Sequence, residues 1–320
     1  MKACLFYPPA RHRGFTIAEL LVALVLGLVV TLAAGGMLVT ANASFTAQTE
    51  AAQVDAAGRL ALDAIERAAR QVAFVDWDRD DAAADMQAEP ARIAGLDARS
   101  LSKATAGIGN PRAGSVGGSD VLALRFAGAG AGPEGDGSMI GCAGFGVGQG
   151  REGWSIFYVA PNADGVAELR CKYRGDAHWS ADALVAGVDS FQVLYGLDTD
   201  VPRDGLANRY VNAGAIDALD AALALEGETD AARAQDFLRR THWKRVASIK
   251  VGLLLHGAKR ARVGSGAAVY ELFGAGYGAE AGAGGADAGT RVLESDMPAA
   301  LRERQRHAFG ATILLRNAAM

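Results

Sequence analysis

The sequence predicts an α+β fold in which one long N-terminal helix packs on a globular domain of antiparallel β-sheet. The first reason is an uncharged run from Leu20 to Val39, which continues into an amphipathic stretch with no proline between Phe15 and Pro90. The second reason is the C-terminal part, where short segments of apolar and alternating residues are separated by turn residues. A chain of 320 residues is long enough to bury a sizeable core.

The apolar run that opens the predicted helix has the length of a membrane span. About 20 uncharged residues are enough for a helix to cross the hydrocarbon core of a bilayer, so membrane lipid is an expected partner. Lys2, Arg11 and Arg13 precede the run, and no acidic residue lies before Glu19 at its head. By the positive-inside rule, the N-terminus is expected in the cytoplasm and the C-terminal bulk on the far side of the membrane.

The amphipathic stretch after the run predicts that the same helix continues. Apolar side chains recur at helical spacing as far as Val72, and charged residues occupy the positions between them. We therefore expect a transmembrane and assembly helix over residues 15–42 and an amphipathic continuation over residues 43–75. Two separate helices that meet near Gly35 and Gly36 are the alternative.

A short motif lies at the head of the apolar run. Gly14 precedes Phe15, and Glu19 stands fifth when Phe15 is counted as the first residue. This order resembles the class III signal of type IV prepilins. The resemblance implies that residues 1–14 are a leader, that a prepilin peptidase cleaves between Gly14 and Phe15, and that Phe15 is then N-methylated. It also implies that Glu19 meets the N-terminal amine of a neighbouring subunit, and a buried carboxylate is tolerated when it is paired in this way.

An ordinary secretory signal peptide is the alternative interpretation of this region. Ala41-Asn42-Ala43 fits a small-x-small cleavage site. However, the apolar run is longer than the 7–15 residues that are usual for the core of a signal peptide. An acidic residue within a membrane span costs up to about 2.5–3.5 kcal/mol and indicates a function by default. Glu19 therefore favours the prepilin interpretation.

Residues 76–320 are predicted to form a periplasmic α+β globular domain. A polar, irregular segment is expected from Asp76 to Gly118, and the Gly-rich loop from Gly128 to Gly150 lacks the spacing of a phosphate-binding loop. Strands are predicted over residues 121–126, 154–160, 166–173, 184–197, 246–255, 269–273 and 309–315. Helices are predicted over residues 216–225 and 231–240.

Two of the three cysteines belong to the globular domain. Cys4 lies in the leader, whereas Cys142 and Cys171 remain in the mature chain. A pair of cysteines in a domain exported to an oxidising space predicts one disulfide, which would tie the Gly-rich loop to the second strand of a hairpin. Two buried free thiols are the alternative. A metal site is not favoured, because no CxxC motif or nearby His completes one.

Segments between Arg170 and Asp200 extend the resemblance. Arg170-Cys171, Leu184–Val188 and Gln192–Asp200 are similar to segments of the PilW family of minor pilins. This resemblance implies a pilin-like fold and an inner-membrane protein. It also implies that the protein co-assembles with other minor pilins and the major pilin to prime or tip a type IV pilus, which serves adhesion, twitching motility or DNA uptake.

Two alternative functions share parts of this pattern. A minor pseudopilin of type II secretion has the same signal and the same long helix. A periplasmic enzyme or binding protein that is tethered by an uncleaved anchor belongs to a different class. No histidine has metal-ligand spacing and no nucleophile motif occurs, so the sequence predicts neither an enzyme nor a cofactor.

The charged residues of the globular domain are expected to be solvated. Asp189 and Asp217 are predicted at the surface or in turns, and the basic group from Arg302 to His307 at a solvated edge. The net charge of −4 gives no general surface for nucleic acid, which is not an expected partner.

One group of acidic residues has an alternative interpretation as a metal site. Asp198, Asp200 and Asp204 carry the carboxylate oxygens that calcium prefers. The segment Val201-Pro202-Arg203 interrupts the spacing of a calcium loop, and no Glu follows at the distance that an EF-hand requires. The sequence therefore favours no metal, and calcium at these three residues remains the alternative.

Overall fold

The computed structural model describes residues 14–72, 89–260, 268–279 and 287–315. The chain divides into two compact units, Met1–Thr49 and Glu50–Met320. Helix α1, Ile17–Gln71, contributes to both units and is continuous through Gly35 and Gly36. Most of the predicted leader, residues 1–13, and residues 73–75 of the predicted amphipathic continuation lie outside the described residues.

The first unit contains the apolar part of α1. Every described residue from Gly14 to Phe45 is exposed in this unit. The most apolar window of α1 has a mean hydropathy of 2.6, so the helix is long and apolar enough to cross a membrane. A helix that is apolar on every side needs a non-aqueous environment, either lipid or other apolar helices.

The second unit begins with the amphipathic part of α1, in which one face is buried. The buried positions recur every three or four residues because 3.6 residues complete a helical turn. They are Glu50, Val54, Gly58, Ala61, Ile65, Ala68 and Ala69.

A five-stranded antiparallel sheet, here called sheet A, follows in the second unit. Its strands are β1 (Ile93–Leu96), β4 (Val121–Ala127), β5 (Glu152–Pro161), β6 (Ala167–Arg174) and β7 (Trp179–Ala186). They are ordered β1-β4-β5-β6-β7. Between the first two of them, β2 (Arg99–Ser100) and β3 (Arg112–Ala113) form a small ladder of their own.

A four-stranded antiparallel sheet, here called sheet B, completes the second unit. Its strands are β8 (Val188–Leu197), β9 (Arg209–Val211), β10 (Val246–Arg260) and β13 (Arg304–Leu314), and their order is β13-β10-β8-β9. Strands β11 (Val269–Glu271) and β12 (Arg291–Leu293) pair with each other. The helices are α2 (Ala213–Ala221), α3 (Asp230–Arg240), α4 (Ala275–Ala279) and α5 (Ala299–Arg302).

A glycine lies where the chain passes from sheet A to sheet B. Gly187 separates β7 from β8 and has a φ of 79°, a conformation that favours glycine. A side chain at this position would overlap the carbonyl oxygen of His256 in β10. The close approach of these two backbones therefore requires a residue without a Cβ atom.

The main hydrophobic core lies where α1 and the two sheets meet. Ile65 of α1 is fully buried, together with Phe157 of β5, Phe191 of β8 and Leu253 of β10. A second, smaller core covers the other face of sheet A. It contains Leu101, Val121, Ala123, Ile156 and Tyr158.

The structure confirms the predicted fold class, a long N-terminal helix and an antiparallel sheet domain. Of the irregular segment predicted from Asp76 to Gly118, residues 76–88 lie outside the described residues. For the remainder the prediction is wrong in part, because β1 and the two-residue strands β2 and β3 lie within it. A four-residue strand is too short for its own pattern to stand out, and it is fixed by pairing with β4. Gly95 of β1 also leaves the space that the Tyr195 hydroxyl group occupies.

Candidate assembly site

Two polar side chains form a closed arrangement at the start of α1. The Glu19 carboxylate accepts hydrogen bonds from the Thr16 backbone N–H at 2.9 Å and from the Thr16 hydroxyl at 3.0 Å. In return, the Glu19 backbone N–H donates to Thr16 Oγ1 at 3.2 Å. This reciprocal pattern is a capping box, which satisfies the free N–H groups of a helix start.

The capping box explains how an acidic side chain is placed at the head of an apolar helix. The positive end of the helix dipole favours a negative charge at this position. The Thr-x-x-Glu spacing before an apolar run is visible in the sequence and could have predicted the box, although our sequence analysis assigned Glu19 to assembly alone. Phe15, directly before Thr16, is 90% exposed.

The threonines further along the apolar helix satisfy their own polar groups. Thr31 Oγ1 donates to the carbonyl of Gly27 at 2.9 Å, and Thr40 Oγ1 donates to the carbonyl of Gly36 at 3.0 Å. Hydroxyl groups bonded within the helix cost little in an apolar environment. This stretch therefore offers an apolar surface to its surroundings, and Glu19 is the acidic group at its head.

The predicted disulfide between Cys142 and Cys171 is present, with a Cα–Cα distance of 5.9 Å. It joins the Gly-rich loop to β6, the second strand of the β5–β6 hairpin, as predicted. A closed loop of about 30 residues contributes roughly 3–4 kcal/mol to the free energy of unfolding.

The three aspartates of the calcium hypothesis lie together in the structure. One carboxylate oxygen from each of Asp198, Asp200 and Asp204 lies within 4.8 Å of the others. Both oxygens of Asp198 also accept backbone N–H groups, from Asp200 at 3.1 Å and from Gly205 at 2.8 Å. The loop is thus held by its own hydrogen bonds. The prediction of no metal, with calcium at these three residues as the alternative, can be checked by calorimetry on the full chain.

Two charged residues that the sequence analysis placed at the surface are buried. The Arg306 side chain has no exposed area, and its Nε donates to Asp189 Oδ2 at 2.8 Å. Asp189 Oδ1 also lies 3.0 Å from Nδ1 of His256. The expectations of a solvated Arg306 and a surface Asp189 are therefore wrong. The two residues are 117 positions apart, and no local pattern indicates that they meet.

A lysine is buried on the face of sheet A that the smaller core covers. Lys172 of β6 is fully buried, and its ammonium donates to the carbonyls of Gly107 at 2.7 Å and Ser102 at 3.0 Å. It also donates to the Thr105 hydroxyl at 3.2 Å and lies over the Trp179 ring, 5.4 Å from its centre. Burial lowers the pKa of Lys172 to about 8. The lysine fastens the segment before β3 to sheet A.

A second buried charged group, the carboxylate of Asp120, also binds backbone groups of neighbouring segments. Asp120 accepts the backbone N–H of Ala98 at 2.9 Å and that of Val193 at 3.0 Å. Burial raises the pKa of Asp120 well above its usual range. Like Lys172, it is bonded to backbone groups, so its visible role is to hold loops and strands together.

The chain matches known protein families and is similar to a solved structure. A family model described as type IV pilus-assembly protein W matches residues 156–317, and a model described as the prokaryotic N-terminal methylation motif matches residues 9–35. A solved type IV-like pilin from Thermus thermophilus is 16% identical, with a TM-score of 0.33, over 74% of this chain and 91% of that chain. No curated protein sequence matches this chain significantly.

The methylation motif and the apolar helix behind it define a pilin-like protein of a type IV pilus. The match to the pilus-assembly protein W model covers half of the 320 residues, and the chain belongs to that family. Pilins of this family are structural rather than catalytic proteins. The motif, which includes Gly14, Phe15 and Glu19, implies processing by a prepilin peptidase and assembly with other pilins.

Proposed function

We propose that the protein is a minor pilin that co-assembles with other minor pilins and the major pilin to prime or tip a type IV pilus. The pilus would serve adhesion, twitching motility or DNA uptake. One observation carries the proposal: a methylation signal heads an exposed apolar helix in a chain whose C-terminal half matches the pilus-assembly protein W family. An apolar helix of this kind can move from lipid into a bundle of similar helices without exposure to water.

The proposal assigns a processing step to the start of the chain. Cleavage between Gly14 and Phe15 removes the leader, residues 1–14, and creates a new N-terminal amine on Phe15, which is then methylated. Glu19 is proposed to pair with this amine on a neighbouring subunit. Both bonds from Thr16 use the same carboxylate oxygen of Glu19, Oε2, so within the part of the chain that the structure describes Oε1 is available to accept a further donor.

The proposed topology is a single pass through the inner membrane. Lys2, Arg11 and Arg13 favour a cytoplasmic N-terminus, residues 15–42 form the transmembrane and assembly helix, and residues 76–320 fold in the periplasm. The disulfide between Cys142 and Cys171 supports this placement, since disulfides persist in oxidising compartments. After assembly, the protein is part of the pilus.

The first experiment is to determine the N-terminal sequence and the mass of the mature protein from native membranes. A start at methylated Phe15 is expected. A start at Ser44 would identify a conventional signal peptide, and an intact Met1 would leave a tethered domain. Either of these results overturns the proposed processing and, with it, the proposed function.

A second experiment separates a type IV pilus from type II secretion. A deletion strain is expected to lose surface pili and to keep normal secretion, and the reverse result would assign the protein to the secretion system. The deletion strain is then complemented with Glu19→Ala or with Thr16→Ala. Glu19→Ala is expected to abolish piliation. Thr16→Ala keeps the carboxylate and the bond from the backbone N–H of residue 16 but loses the two bonds of the hydroxyl group, so it tests whether capping rather than pairing is the function of Glu19.

A further inference from the structure

Strand β13 is a long strand with a neighbour on one side. It forms the edge of sheet B and runs for 11 residues beside β10. Its pairing with β10 is regular from Leu314 opposite Ser248 to Arg306 opposite His256. Among the described residues, no strand pairs with its other edge.

The hydrogen-bond pattern shows which backbone groups of β13 point away from the sheet. The N–H of Leu315, directly after the strand, donates to the carbonyl of Ala247 at 2.8 Å, and these two residues continue the register of the β10–β13 pair. In an antiparallel ladder, residues that bond to the neighbour alternate with residues whose N–H and C=O point outward. The outward residues are therefore Ala308, Gly310, Thr312 and Leu314.

These outward groups reach the surface. All four residues are exposed, and Leu314 is 58% exposed. Gly310 consists of backbone alone, so its exposure is exposure of the backbone itself. A row of accessible N–H and C=O groups at two-residue intervals is a template for a further strand.

The edge lacks the features that usually protect such a template. No charged residue and no proline lies between Ala308 and Leu315, and the ladder with β10 has no bulge in this stretch. The other edges of the two sheets differ. Strands β1 and β9 have four and three residues. Strand β7 carries an exposed Asp182 and an irregular register.

We propose that β13 accepts an extended strand of a partner polypeptide along residues 308–314. The partner segment is uncharged opposite Ala308–Leu314, because a charge there would face a neutral, partly apolar edge.

Beyond Ala308 the partner segment is acidic, because Lys259, Arg260 and Arg304 lie at that end of the β10–β13 pair. Lys259 and Arg260 lie 4.0 Å from Glu50 and 3.6 Å from Glu303, and their side chains are still 71% and 65% exposed. Ion pairs this long and this exposed are weak, so both cations can meet a further carboxylate. Main-chain hydrogen bonds along β13 supply the affinity, and the side chains of Lys259, Arg260 and Arg304 supply the selectivity. This inference does not depend on the role proposed for the apolar helix.

The test compares hydrogen exchange of the full chain in native membranes with that of the same protein purified in detergent. In the purified protein, the outward amides of residues 308, 310, 312 and 314 exchange fast. In membranes they are expected to become protected, a gain of about four slow amides across residues 306–315. Strand β4 is paired on both sides and serves as the unchanged reference. Equal exchange across 306–315 in both samples overturns the proposal.

Matched proline variants test whether the outward N–H groups of β13 bind the partner strand. Thr312→Pro removes one outward N–H and leaves the β10 ladder intact, so the domain is expected to fold normally and to lose the protection in membranes. Thr312→Val retains the N–H and the protection. Ala311→Pro removes an N–H that faces β10 and is expected to unfold the sheet. Protection that survives in Thr312→Pro overturns the proposal. Protection in the purified protein together with a dimer in sedimentation also overturns it, since the occupant is then a second copy.

Discussion

Helix α1 combines two stretches of the same regular structure that meet different surroundings. From Ile17 to Phe45 every residue is exposed, whereas from Glu50 to Gln71 one residue in three or four is buried against sheets A and B. The first stretch has no polar side to turn toward water. The second has a polar face and an apolar face. The stretch that supports the fold is thus separate, within one helix, from the stretch that remains available for lipid or other subunits.

The two glutamates of the helix show the same difference. Glu19 is exposed and accepts hydrogen bonds from Thr16, three residues away. Glu50 is 1% exposed and accepts the backbone N–H of Lys259, 209 residues away, at 3.0 Å. A carboxylate with a local partner can take a new one at no cost to the fold. A buried carboxylate with a distant partner cannot.

The largest expected effect on the free energy of unfolding comes from truncating an apolar side chain in the buried stretch of α1. The same kind of truncation in the exposed stretch is the comparison. Ile65→Ala removes a fully buried side chain and is expected to lower the free energy of unfolding by about 2–5 kcal/mol. Leu24→Ala is the matched control, because Leu24 is 64% exposed and contributes nothing to the domain core. Denaturation of the full chain in detergent, followed by tryptophan fluorescence, measures both, since all four tryptophans of the chain fall between residues 50 and 320, the range of the second unit. Equal losses in the two variants would contradict the division of the helix.

Replacing the two glutamates is expected to have the next largest effect. Glu50→Ala removes the charged acceptor of the part-buried Lys259 N–H and is expected to cost about 1–3 kcal/mol, the usual contribution of a hydrogen bond to a charged group. Glu50→Gln keeps an acceptor oxygen and is expected to cost less. Glu19→Ala is expected to leave the unfolding midpoint unchanged, whatever it does to assembly. If Glu19→Ala destabilised the domain as much as Glu50→Ala, the distinction between the two acids would fail.

Local patterns in the sequence predicted much of this architecture. The charge-free run, the helical spacing as far as Val72 and the Gly14-Phe15 junction before Glu19 are all short-range signals. Each of these signals can be recognised in the sequence because residues that are close along the chain lie in the same surroundings. Pairing of Cys142 with Cys171 followed from cysteine count and compartment, and the structure contains that disulfide.

Long-range polar contacts could not be predicted in the same way. Arg306 lies in a basic segment that is typical of a solvated edge, yet it is buried against Asp189 of β8. Lys172 alternates with apolar neighbours in β6 as a surface lysine would, yet its ammonium is enclosed by a segment about 65–70 residues away. In each case the partner is fixed by the topology of the sheets, which the sequence pattern does not specify.

A smaller effect is expected at the glycines of α1. A Cβ atom at Gly58 would overlap the ring of Phe309 in β13, whereas one at Gly36 would meet no atom within 4 Å. Gly58→Ala is expected to cost about 1–2 kcal/mol, because Phe309 is only partly buried and its ring can move. Gly36→Ala is expected to leave domain stability unchanged. The double variant Gly58→Ala, Phe309→Leu should recover part of the loss, and an additive double loss would show that the two residues do not compete for the same space.

The smallest effect concerns the pH dependence of Lys172, a buried cation of the second unit. Its pKa is lowered from 10.5 to about 8 by burial. Between these two pH values the unfolded chain binds the proton more tightly than the folded domain, so this lysine makes stability rise with increasing pH. One unit of pKa difference corresponds to about 1.4 kcal/mol, and a rise of about 1 kcal/mol between pH 8 and pH 10 is expected after partial relaxation of the site.

The measurement is the difference in unfolding free energy between the natural protein and Lys172→Met at each pH, because subtraction removes the titration of all other groups. The difference is expected to change in favour of the natural protein from pH 8 to pH 10.5 and to be constant below pH 7. Lys250→Met, at a partly exposed lysine of sheet B, is the matched variant that shows how much of the change comes from removing any lysine. A flat difference for Lys172→Met would mean that the ammonium is as well solvated in the folded domain as in the unfolded chain. The three oxygen atoms around it would then compensate fully for its burial.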